Sequence, residues 1–141
     1  MASRSVYVEH LRNVPLFVGL TKKELERVAS AGSEVSVTAG TTLMEEGALG
    51  RGAYVVLSGE LVVRRNGRKV ATLSTGDIVG ELSLIDDQPR SATVVCTEDG
   101  SVLELTRGQF RAVLDEIPTL AHKLMSTLAG RVRNLDNSLL G

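Results

Sequence analysis

Hydrophobic positions along the chain change period twice, dividing it into a helical zone, a β zone and a second helical zone. From Ser5 to about Gly32 the spacing is helical. Val6, Leu11 and Val14 lead into Pro15, which breaks the segment because it lacks an N–H and clashes with the preceding turn. Leu16, Phe17 and Leu20 form a short apolar connector. Thr21-Lys-Lys-Glu24 is a capping-box pattern ahead of Leu25 and Val28, and Gly32 ends that helix.

From Glu34 to Leu105 the apolar runs are short, and Gly40, Gly47, Gly52, Gly59, Gly67, Gly76 and Gly100 punctuate them. Asn66-Gly67 predicts a two-residue hairpin inside Leu61–Leu73, since both turn positions need positive φ. Asp99-Gly100, between Ser91–Thr97 and Ser101–Leu105, predicts another. Many short strands at regular spacing fit a closed or double-sheet roll. Beyond it, Thr106-Arg-Gly-Gln109 can cap a short helix carrying Phe110, Val113 and Leu114, and Pro118 suits the start of a second. Leu124, Leu128, Val132, Leu135 and Leu139 then form one apolar stripe. Such a stripe packs on the roll or pairs with a second copy, because its spacing suits helix pairing.

The expected fold is therefore α+β in one domain, 1–141. It comprises helices over 1–32, an antiparallel β-roll resembling a jelly-roll barrel over 33–105, and two closing helices over 106–141.

Composition narrows the function more than the fold. The 141 residues suit a single domain. A net charge of -1 supplies no basic field for nucleic acid. One cysteine, Cys96, precludes an internal disulfide and points to a reducing, cytoplasmic setting. No run approaches the ~20 apolar residues of a membrane span, and the amphipathic opening residues lack the apolar stretch of a signal peptide, so none is expected. His10 and His122 lie in distant zones, which argues against a metal site. No catalytic triad pattern is evident either, so neither enzyme activity nor a cofactor is expected.

The segment Gly76-Asp-Ile-Val-Gly-Glu-Leu-Ser-Leu-Ile-Asp-Asp-Gln-Pro-Arg-Ser-Ala-Thr-Val94 is unusual for a strand hairpin. Gly80 lets backbone approach a ligand without an intervening Cβ. Glu81–Ile85 has the character of a single helical turn, whose first N–H groups suit an anion. Arg90, fixed by Pro89, can clamp the same anion with its planar fork. Glu81 is placed to accept from sugar hydroxyls. A phosphate beside a ribose hydroxyl is what a cyclic nucleotide offers.

This stretch resembles the phosphate-binding cassette of the cyclic nucleotide-binding domain family. Val79, Gly80, Glu81, Pro89, Arg90, Ser91, Ala92, Thr93 and Val94 carry the likeness. Gly47, Tyr54, Gly59, Gly76 and the flanking helices extend it over nearly the whole chain. Val79 stands where Phe is commoner in the family. The resemblance implies that Glu81 holds the ribose 2′-hydroxyl and Arg90 the phosphate. Backbone N–H groups of Leu82, Ser83 and Ala92 complete the cradle, with Ser91 near phosphate and purine. The implied ligand is cAMP or cGMP, with cAMP favoured. Leu61, Val63, Val70, Leu73 and Val79 are candidate base-pocket residues, and Arg131, Arg133 and Leu135 candidate lids.

The function expected is a regulatory sensor that couples nucleotide binding to movement of the C-terminal helices, with Leu84 and Ile85 contacting the hinge at Phe110–Leu114. Alternatives are a degenerate roll kept for dimerisation and the sensor part of a larger transcription regulator. The expected partners are the nucleotide, an effector of unknown identity, and a second copy through the last helix. Neither DNA binding by this chain nor a membrane is expected.

Overall fold

The computed structural model describes residues 4–50, 52–81, 88–126 and 129. Its helices begin and end where the sequence places their signals. Helix α1 spans Arg4–Arg12, and a 3-10 turn follows at Pro15–Phe17. Helix α2, Lys22–Ala31, carries the capping box in full. Glu24 N–H donates to the Thr21 hydroxyl at 3.1 Å, and Thr21 N–H donates to the Glu24 carboxylate at 2.9 Å. Thr106 and Gln109 repeat the motif at α3, Arg107–Glu116. Helical backbone resumes at Pro118 and runs over 118–126.

The strands are β1 (Ser33–Val37), β2 (Thr42–Met44), β3 (Gly52–Arg65), β4 (Arg68–Leu73), β5 (Ile78–Val79) and β6 (Thr93–Thr106). All pairings are antiparallel. Strands β3 and β6, 14 residues each, pair along most of their length and form the spine of the roll. The shorter strands attach to it, β1 and β2 to β6, β4 and β5 to β3.

Asn66 and Gly67 take φ of 53° and 77° at the β3–β4 hairpin, as expected. Asp99-Gly100 is no hairpin: it lies inside continuous β6, where Gly100 pairs with Val37. Its missing side chain serves close packing instead, since a Cβ there would meet the backbone of Ser58 and Gly59. Gly59 likewise lies within β3, whereas Gly52 opens it.

Around Gly59, φ +88°, the register slips by one residue between Val56↔Val102 and Leu61↔Cys96. Because side chains alternate with period two, one extra residue exchanges the faces of a strand. Tyr54 and Val56 face the roll interior before the bulge, and Leu61 and Val63 do so after it. A second bulge, between Val63↔Ala71 and Arg64↔Lys69, skips Val70.

Two cores result. Inside the roll, Val37, Met44, Val56, Leu61, Val63, Ala92, Val94, Cys96 and Val102 pack together. Between roll and helices, Ala53, Val55, Leu57, Leu103 and Leu105 meet Leu11, Phe17, Leu25, Phe110, Val113, Leu120 and Leu124. Leu124, the first residue of the apolar stripe, is thus used within the domain. Leu128, Val132, Leu135 and Leu139, with the lid candidates Arg131 and Arg133, lie outside the described residues.

An ion pair ties α2 to α3. Arg27 donates to both Glu116 carboxylate oxygens, at 2.5 and 2.9 Å. The hydrogen bond from Arg27, with its charge, holds Glu116 below the usual carboxylate pKa. A depressed folded-state pKa adds stability above the unfolded value that disappears as pH falls through the folded value. Glu116→Gln is therefore expected to lower Tm at neutral pH and to match wild type in acid. Thermal melts over pH 7 to 3 test this, and a difference constant with pH would refute it.

Candidate functional site

Arg90 and Glu81 are the buried charged residues among those described, each 8% exposed. Local bonding fixes Arg90. Its N–H donates to Ala48 O at 2.8 Å, and its carbonyl accepts from Gly47 N–H at 2.9 Å. One residue earlier in that loop, Glu46 N–H donates to the Thr93 hydroxyl at 3.0 Å. The loop after β2 is thereby stitched to the strand that follows Arg90. From the hairpin side, Arg65 Nε donates to Ser91 O at 3.1 Å.

Glycines make room for the guanidinium. A Cβ on Gly50 would overlap Arg90 Nε, and one on Gly80 would stand 2.8 Å from a terminal guanidinium nitrogen and 2.9 Å from Gly52 O. Gly80 also has φ +83°, a conformation that favours glycine. The Gly80 expected from sequence thus has two physical reasons, and Gly50 is a partner that sequence reading missed.

Arg90 lines a cavity of about 500 Å³ together with residues 42–45 and 48–50 and with Gly52, Tyr54, Glu104 and Thr106. Burial lowers the Arg90 pKa, and nearby Tyr54 acts the other way. Guanidinium stays charged at neutral pH regardless. The consequence is a cation held in a poorly hydrated place, where an anion gains more than it would in water.

The other expected site residues divide. Val79, half-buried, sits opposite Tyr54 in the β3–β5 pairing. Ala92, 5% exposed, belongs to the roll core, while Ser91 is exposed. Glu81 lines a second cavity of about 200 Å³ with Pro15, Leu16, Leu73, Asp77, Ile78 and Leu124, on the helical side. Gly80 and Arg90 are therefore brought together, and Glu81 and Arg90 line different cavities. Leu82, Ser83, Leu84 and Ile85 lie outside the described residues. Of the base-pocket candidates, Leu61, Val63, Leu73 and Val79 pack in or against the roll core. Val70 does not: it alternates with inward Ala71, has no register partner at the bulge, and is 53% exposed.

Tyr54 and Glu104 are cavity residues with no site signal in the sequence, although Tyr54 is legible as a roll aromatic. They are register partners on β3 and β6, 50 positions apart, and only the sheet pairs them. Among the described residues no helix is long and apolar enough to cross a membrane.

This antiparallel roll with flanking helices matches known proteins closely. The profile of the cyclic nucleotide-binding domain matches residues 34–116, which is more than half of the chain. The chain belongs to the cyclic nucleotide-binding domain family. This domain is 34% identical over 134 residues to the cyclic AMP receptor protein of Thermus thermophilus, covering 92% of this chain and 62% of that one. It superposes on the crystal structure of the Thermus thermophilus catabolite activator protein with a TM-score of 0.82 and 35% identity, over 89% of this chain and 61% of that one. It also superposes on the regulatory domain of Toxoplasma gondii PKA, crystallised with cAMP, with a TM-score of 0.71 and 36% identity, over 78% of this chain and 44% of that one. The chain thus spans less than two thirds of each relative. The matched residues, 34–116, take in nearly all of the roll and the whole of α3.

Proposed function

We propose that this chain is a regulatory sensor of cyclic nucleotide, with cAMP as ligand, and that it binds without catalysis. The observation that carries the reading is Arg90, a buried cation whose side chain fits between Gly50 and Gly80 at a cavity wide enough for a nucleotide. In this reading Arg90 pairs with the cyclic phosphate, and Gly80, Leu82, Ser83 and Ala92 supply the backbone cradle. Val79, with Leu61, Val63 and Leu73, contributes apolar surface for the base, and Ser91 lies near phosphate and purine. The preference for cAMP rests on two relatives, the cyclic AMP receptor protein of Thermus thermophilus and the Toxoplasma gondii PKA regulatory domain crystallised with cAMP.

Glu81 takes the ribose 2′-hydroxyl. Because Glu81 lines the cavity that includes Pro15 and Leu124, its recruitment to the nucleotide would withdraw a contact from the helices. Differential binding of this kind shifts a population towards the ligand-bound arrangement. The domain is read as 1–141, working in the cytoplasm and passing its signal to an effector through the C-terminal helices.

Calorimetric titration of the chain with cAMP and then cGMP tests the proposal. One saturable site per chain, tighter for cAMP, is the expected result. Tighter binding of cGMP would reverse the base preference. Neither heat nor a thermal shift with either nucleotide would overturn the sensor reading.

A further inference from the structure

Tyr54 and Glu104 stand directly opposite each other across the β3–β6 pairing, and both line the cavity that holds Arg90. Tyr54 is half-buried and packs against the roll core, which fixes its ring. Three influences raise the Tyr54 pKa: burial first, then the Glu104 charge, then a hydrogen bond to Glu104. Arg90 opposes them. The hydroxyl therefore stays protonated at neutral pH and donates to the Glu104 carboxylate. A hydroxyl that spends its one proton on a carboxylate keeps its lone pairs for a nearby cation.

We infer that Tyr54 and Glu104 form a positioning pair for Arg90, in which Glu104 orients the Tyr54 hydroxyl and Tyr54 steers the guanidinium towards the anionic group of the ligand. This rests on the reading of Arg90 as the phosphate clamp. Its physical advantage is that the group this pair presents in the Arg90 cavity is a neutral oxygen. A carboxylate in that place would compete with the anionic group of the ligand, whereas a phenol adds no competing charge. Glu104 acts one step further away, by setting the direction of the phenol O–H.

A double-mutant cycle separates this role from packing. Tyr54→Phe keeps the ring and removes the hydroxyl. With Arg90 present it is expected to weaken cAMP binding about three- to tenfold, the range of one hydrogen bond. In the Arg90→Ala background it is expected to change nothing. Glu104→Ala should behave as Tyr54→Phe does, while Glu104→Gln, whose amide oxygen still accepts the phenol proton, should retain affinity. Competition against a fluorescent cAMP analogue reads all variants, including weak binders.

An equal loss in both backgrounds would make Tyr54 a packing residue and overturn the pair, as would no loss in either. A loss in Glu104→Gln matching that in Glu104→Ala would point to charge rather than hydrogen bonding and overturn the relay. If Arg90→Ala itself binds like wild type, the clamp reading fails first and the positioning pair fails with it.

Discussion

Arg90→Ala is expected to weaken cAMP binding by about 1.5–3 kcal/mol, the usual contribution of hydrogen bonds to a charged group. That corresponds to roughly a tenfold to hundredfold rise in Kd. The unliganded fold should survive, because the bonds that place this segment, to Gly47 and Ala48, use the Arg90 backbone. Burial of the guanidinium, which lowers its pKa, costs free energy before any ligand arrives. The thermal shift produced by nucleotide is expected to shrink. Titration and melts on the same samples separate the two effects. Wild-type affinity in the variant would remove Arg90 from the site.

Gly100→Ala is expected to cost stability midway along the β3–β6 pairing, by about 1–3 kcal/mol, as for overpacking a filled core. The strain is in backbone rather than in a movable side chain. A Cβ at Gly100 would lie 2.5 Å from Ser58 C and 2.8 Å from Gly59 Cα, where the register of β3 slips. Relief requires β3 and β6 to separate at their shared bulge, which disturbs the alternation that sends Leu61 and Val63 inward. Gly108→Ala is the control, since a Cβ there meets nothing within 4 Å. Denaturant unfolding should show a fall in midpoint for the first variant and none for the second. Equal midpoints would mean that the crossing of β3 and β6 tolerates a side chain.

Much of this architecture was legible in the sequence because its signals act over a few residues. A hydroxyl three positions before Glu or Gln closes a capping box, so Thr21 and Thr106 mark the starts of α2 and α3 before any tertiary contact is known. Asn66-Gly67 sets a turn by its own φ preferences. The cassette motif, with Gly80 and Arg90 ten positions apart, was readable for the same reason: its residues are close in the chain, and each has one dominant chemistry.

Misreadings arose where one local pattern has two meanings. A glycine after an aspartate suits both a hairpin and the point where one strand crosses another closely. Asp99-Gly100 turned out to be the second, because only the partner strand reveals Ser58 against Gly100. Val70 was a base-pocket candidate as an apolar residue, but Ala71 and Leu73 take the inward face of β4 and the bulge leaves Val70 without a register partner.

By itself, then, the sequence determined the three zones, the helix starts and the hairpin at Asn66-Gly67, since each follows from local sterics or hydrogen bonding. Tertiary structure alone decided the faces of β3 and β4, the burial of Arg90 between Gly50 and Gly80, the pairing of Tyr54 with Glu104, and the cavity that Glu81 lines. Those depend on register and on which backbone passes beside which, and a chain fixes them only when distant strands meet.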